Sequence, residues 1–198
     1  MDEGRLRVED SEPLRRRRLV VFLRAFLFVP HYVVITIWSL VALPAVAIAW
    51  LALLIEGRLP TWLHRFLAAY VRYLGQASAW LFLLSARYPD PLHTREHPFA
   101  IHIPERPRQP RLVTLLRVVF VLPALVLASV FGVVRGVAAV ATWFTALALG
   151  RTTGGLQELG TFCLRYEVET EAYLLLVTAR YPRIVPPGVG RRARSLEA

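Results

Sequence analysis

The chain has 198 residues, 56% of them hydrophobic, a net charge of +10 and a mean hydropathy of +0.46. So apolar a composition, gathered into blocks, excludes an ordinary water-soluble domain and points to a membrane. All 24 basic residues are arginine and they flank the apolar blocks instead of forming a basic domain with base-stacking aromatics, which favours lipid headgroups over nucleic acid as partner.

Residues 1–17 form a charged N-terminal arm, and the apolar stretch after it is too long for the core of a cleaved signal peptide. Residues 25–55 contain no Asp, Glu, Lys or Arg. As one helix they would run about 46 Å against a hydrocarbon core of roughly 30 Å. The run is therefore expected to fold back near residues 39–44, with Pro44 in the turn, as a transmembrane hairpin over about 22–55. His31 lies inside this run, where a satisfied polar contact is the plainer expectation and a proton relay the functional one.

Residues 61–86 read as an amphipathic helix, with Arg65, Arg72 and Gln76 on one stripe and Trp62, Phe66, Tyr70 and Tyr73 around the rest. Such a helix suits the membrane interface, ending at Arg87-Tyr88-Pro89. Residues 90–110 are a proline-rich linker, within which Phe99-Ala100-Ile101-His102-Ile103 alternates like a short strand that could pair with Leu6-Arg7-Val8 in a β-ribbon. The linker also holds His93-Thr94-Arg95-Glu96-His97, the H-x-x-E-H spelling of a zinc-binding helix. Pro91 and Pro98 leave it barely two turns, so His93, Glu96 and His97 are weak metal candidates and no cofactor is expected.

The second apolar run, residues 118–149, carries one charge, Arg135, with Arg117 18 residues before it and Arg151 16 after. A guanidinium at mid-bilayer costs about 2.5 kcal/mol or more. A second hairpin over about 115–149, turning at Gly132 to Gly136, would move Arg135 to the far headgroups. Residues 155–179 then repeat the interfacial helix, with Arg165 and Glu169 at pairing distance and an acidic set, Glu158, Glu167, Glu169 and Glu171, expected on a solvated face. Cys163 is the only cysteine, so no intramolecular disulfide is available, and residues 183–198 form a basic tail expected to be disordered.

A shift of 93 positions superposes Arg24 on Arg117, Pro30 on Pro123, Trp50 on Trp143, Gly57-Arg58 on Gly150-Arg151, Arg72-Tyr73 on Arg165-Tyr166 and Ala86-Arg87-Tyr88-Pro89 on Ala179-Arg180-Tyr181-Pro182. This is a direct duplication, residues 18–89 and 111–182, and two hairpins would leave the copies parallel. With nearly all arginines outside the hairpins, the positive-inside tendency then predicts four crossings, both termini cytoplasmic, in an all-α membrane protein. Headgroup anchoring falls to Arg24, Arg58, Arg72 and Arg87, to Arg117, Arg135, Arg151, Arg165 and Arg180, and to the belt residues Trp50, Trp143, Tyr88 and Tyr181.

The repeated features, an Arg-x5-Arg before an apolar run, an isolated proline within it, Trp, Gly-Arg and the closing Arg-Tyr-Pro, resemble the bacterial membrane domain of unknown function numbered 4389. Copy one has the family's Pro-His as Pro30-His31, whereas copy two has Pro123-Ala124. The resemblance implies an integral protein of the bacterial cytoplasmic membrane with no established catalytic residues. The leading functional expectation is a non-enzymatic accessory or scaffold subunit that meets anionic phospholipid and other membrane proteins or further copies of itself. The alternatives are a small transporter or lipid-handling protein, or a metal-dependent hydrolase using His93, Glu96 and His97.

Overall fold

The computed structural model describes residues 18–85, 88–91, 109–149 and 152–184, and among these the regular structure is helical throughout. The expected β-ribbon, residues 6–8 with 99–103, lies outside the described residues, as do the metal candidates His93, Glu96 and His97 and the basic tail beyond residue 184.

Neither apolar run folds back. α1, Arg18–Glu56, and α3, Arg111–Leu149, are each one unbroken helix of 39 residues. Pro30 and Pro44 sit inside α1 and Pro123 inside α3. A lone proline removes one backbone bond, and the residues around Pro44 offer no Gly, Asn or Asp to build a turn. The polar groups at the expected bend are used within the helix: Ser39 Oγ donates to the Ile35 carbonyl at 2.7 Å and Thr36 Oγ1 to Tyr32 at 2.8 Å. In α3 the charge that would favour a turn, Arg135, is paired with Glu167 of another helix.

The shorter helices are α2, Thr61–Leu81, and α4, Gly154–Leu174. Each is stopped not by the Arg-Tyr-Pro sequence but by a leucine in left-handed conformation, Leu83 and Leu176, both at φ 63°. The same carbonyls are then capped, Leu84 N–H donating to Ala79 at 2.8 Å and Val177 N–H to Ala172 at 3.0 Å. α1 is closed by Gly57, at φ +68°, whose own carbonyl accepts from the Gln109 N–H at 3.2 Å.

α2 and α4, the helices expected at the membrane interface, each run along the long helix of their own copy. Contacts between Arg24 and Ser85, His31 and Tyr73, and Ser39 and Tyr70 show α2 running antiparallel along α1. Arg117 with Thr178 and Arg135 with Glu167 show the same for α4 on α3. Trp50 Nε1 donates to the Thr114 carbonyl and Arg111 to Ile55, which sets α1 and α3 antiparallel. His64 meets the Val177 carbonyl at one end of the α2 and α4 pair, and Gly160 approaches Leu84 at the other. A Cβ on Gly160 would lie 2.8 Å from Leu84 Cδ2, so the small residue permits that approach.

The two copies are therefore inverted with respect to each other, correcting the expectation of parallel halves. That expectation, and the paired crossings behind the four-span topology, followed from hairpins that are absent. Helix backbones come close around a square, α1 to α3, α3 to α4, α4 to α2 and α2 to α1, while across the diagonals only side chains of the described residues meet. One layer is α1 with α3, the other α2 with α4. The main core sits where α1 and α2 meet α4, around Ala49, Leu53, Leu63, Leu67, Leu164 and Leu176.

Candidate functional site

Three arginines assigned to headgroups are turned inward. Arg24, Arg117 and Arg135 are all buried, with exposures of 4%, 3% and 8%. The first two make the same contact in both copies. Arg24 Nη2 donates to the Ser85 carbonyl at 2.9 Å with its guanidinium 4.5 Å from the Trp80 ring. Arg117 donates to the Thr178 carbonyl and lies 4.1 Å from the Tyr173 ring. Every partner corresponds under the 93-residue shift. Each arginine thus ties the start of a long helix to the left-handed end of its short helix, with a charge-assisted bond and a cation–π contact on one group. Arg117 also takes Gln109 Oε1 at 2.8 Å, and Gln109 Nε2 donates to the Leu176 carbonyl at 2.9 Å, so the residue entering α3 is held by the end of α4.

Arg135 belongs to copy two alone. Its Nε and Nη2 form a fork on Glu167 Oε1 and Oε2 at 2.9 and 2.6 Å, and the guanidinium lies 3.7 Å from the Phe82 ring at the end of α2. Gly132 lies beside that carboxylate, where a Cβ would make an ordinary contact 3.6 Å from Glu167 Oε1. Burial pushes the Glu167 carboxyl above its ordinary value, and Arg135 opposes the rise. One turn on, burial pushes Glu171 up to about 8, with the Glu167 charge adding and Arg135 opposing. A carboxyl raised on folding stabilises the folded state fully below its ordinary value of 4.5, and that contribution is lost as pH rises through about 8. Stability measured from pH 5 to 9 is therefore expected to fall, and Glu171→Gln to flatten the fall. An unchanged slope in the variant removes Glu171 as its cause.

Copy one has a histidine in an aromatic cage instead. His31 Nδ1 and the Tyr73 hydroxyl are 2.6 Å apart, and the rings of Phe28, Trp80 and Tyr88 lie 6.1, 6.0 and 4.3 Å from the imidazole. Among the described residues Nε2 has no hydrogen-bond partner. On Nδ1 the packing is a satisfied polar contact. Tyr73→Phe is expected to cost about 1–3 kcal/mol by stranding a buried imidazole nitrogen; a change below a few tenths in reversible unfolding would contradict this.

Of the other anchors, Arg58 and Arg180 are exposed, while Arg72 and Arg165 are half-buried. Trp50 donates into α3, and Trp143 packs beside Ala146 and Leu83. Tyr88 donates to the Leu27 carbonyl at 3.2 Å, and Tyr181 packs edge-on against Tyr173. Arg87 and Arg151 fall outside the described residues, and Cys163 is buried as a free thiol. Among the described residues no group of three His, Cys, Asp or Glu could hold a metal. A shallow recess lined by Glu56, Gly57, Arg58, Gln109, Pro110 and Arg111 lies where α1 ends and α3 begins.

The largest surface feature is apolar. Phe26, Val33, Ile37, Leu40 and Leu43 on α1, and Leu112, Val118, Val126, Val133 and Phe144 on α3, are exposed along almost the whole length of both helices. The stretches Phe26–Glu56 and Arg111–Ala148 are long and apolar enough to cross a membrane, and only 22% of the most apolar window in each is buried. A core helix of a soluble protein would be mostly covered.

The pattern of one family, described as a domain of unknown function (DUF4389), matches residues 18–93 and again 111–184. No curated protein and no solved structure matches the chain.

Proposed function

The chain belongs to the DUF4389 family, in two tandem copies, and from that premise we propose that it is a non-enzymatic accessory or scaffold protein of a bacterial membrane. The observation that carries this reading is the open apolar face of α1 and α3, too large and too continuous to be left in water. The buried arginines support it: the hydrogen bonds and ring contacts of Arg24 and Arg117 go to the ends of the protein's own short helices and those of Arg135 to Glu167 and Phe82, a structural use. Arg58 and Arg111, exposed where α1 ends and α3 begins, are placed to meet anionic headgroups. The layer of α2 and α4 is the face left for a protein partner or a further copy.

The transporter alternative needs a path between the copies. Where the copies meet, Trp50 bonds directly to Thr114 and Gly160 is packed against Leu84, contacts that favour a closed joint. The test is extraction of the full chain from its native membrane in mild detergent, followed by sizing and identification of what accompanies it. A defined partner or a homo-oligomer is expected. A strictly monomeric particle without partners, or a chain recovered in the soluble fraction, would count against the proposal.

A further inference from the structure

We infer that α1 and α3 lie along a single leaflet, so that the protein enters the membrane from one side and leaves the opposite surface untouched. This rests on the membrane reading above and goes beyond it. The first observation is where the chain between the copies begins and ends. Ser85 is held by Arg24 at the start of α1, whereas Gln109 is bonded to Gly57 at its far end. From Arg24 to Gly57 the helix runs on the order of 50 Å, well beyond a hydrocarbon core of roughly 30 Å. If α1 stood across the bilayer, Ser85 and Gln109 would face opposite solvents and the joining residues 86–108 would have to cross as well. That segment carries seven charged residues from Arg87 to Arg108 and several prolines. Its sequence holds no apolar run of the length that crossing demands. Laying α1 parallel to the surface puts both ends of the linker in the same water.

The second observation is the distribution of apolar surface. A bundle standing across a bilayer needs an apolar belt around its whole circumference. Here the belt covers one layer. α1 and α3 expose large apolar side chains along their length, while α2 presents Arg65 to solvent and α4 presents Glu158, with Trp62, Leu159 and Leu174 as the only large apolar residues exposed on those two helices. Because the backbone of α1 lies beside α2 and α3 and only its side chains reach α4, the greasy face and the polar face are opposite sides of a two-layer slab. A slab of that kind matches one leaflet: acyl chains beneath, headgroups at the rim where Arg58 and Arg111 sit, and water above. The net charge of +10 selects anionic lipid.

The experiment uses the full chain with Cys163→Ala, carrying Arg58→Cys at one end of the slab and Gly155→Cys at the other, where a side chain meets nothing within 4 Å. The protein is reconstituted in sealed vesicles of phosphatidylglycerol and phosphatidylcholine. One membrane-impermeant maleimide is applied outside, the vesicles are opened with detergent, a second maleimide is applied, and intact mass is read. One-leaflet insertion predicts molecules carrying two copies of the same label, whatever their orientation in the vesicle. Molecules carrying one of each label would overturn the inference while leaving membrane residence intact. A chain that fails to float with the vesicles, including a water-soluble dimer closed on its apolar faces, would overturn the membrane reading as well. If circular dichroism shows that pair misfolded, Trp62→Cys with Thr153→Cys reports on the same two ends.

Discussion

Arg117→Ala is expected to lower stability by about 2–6 kcal/mol, the cost of leaving two buried acceptors unpaired at about 1–3 kcal/mol each. The substitution strands the Thr178 carbonyl and Gln109 Oε1 and removes the stack on Tyr173. It also frees the end of α4, where Leu176 is held in a left-handed conformation that costs a non-glycine residue on the order of 1 kcal/mol or more. Arg117→Lys should recover little. A single ammonium is a point charge and lacks the planar fork that serves Thr178 and Gln109 together. Reversible unfolding in lipid or detergent, with proteolysis near residue 176 as a local probe, measures both. If Lys and Arg prove equivalent, charge alone is sufficient and the geometric account is wrong. Arg24→Ala should behave alike through Ser85 and Trp80.

The pair Arg135 and Glu167 should show a different pattern. Copy one has Ala42 and Leu74 at the matching positions, an apolar solution for the same joint. Arg135→Ala alone leaves a buried carboxylate, and Glu167→Leu alone leaves a buried guanidinium; each is expected to cost about 3–5 kcal/mol. Together they install the copy-one residues and remove both charges. The double variant is expected within about 1 kcal/mol of the parent, a large coupling in a double-mutant cycle. Additive losses would mean that the two side chains act separately, against the fork in which both carboxylate oxygens are engaged.

These two clusters also mark what was legible in the sequence. The repeat was fully visible, and with it the pairing of Arg24 with Arg117, because identical chain spacing needs no knowledge of contacts. The short helices were visible as amphipathic runs. What those arginines touch was not. The match of Trp80 to Tyr173 and of Ser85 to Thr178 under the 93-residue shift was available, yet nothing local says that an arginine at the head of one helix caps the tail of the next. The hairpin expectation failed for a related reason. It treated Arg135 as a charge with no partner inside the protein, when Glu167, 32 residues away, supplies one; the acid was read instead as part of a solvated face. Orientation failed next. The direct repeat suggested parallel copies, and contacts such as Trp50 with Thr114 reveal instead that α3 begins at the far end of α1.

The inversion of the copies is the claim from which the slab, its apolar face and the one-sided insertion all follow, and spin labels at Trp62 and Gly155, equivalent positions at the starts of α2 and α4, test it most directly. Inverted copies place these labels a helix length apart, on the order of 30 Å, with Trp62 and Arg180 close together at the same end. A short Trp62 to Gly155 distance paired with a long Trp62 to Arg180 distance would mean the copies run in parallel, and the account would fall.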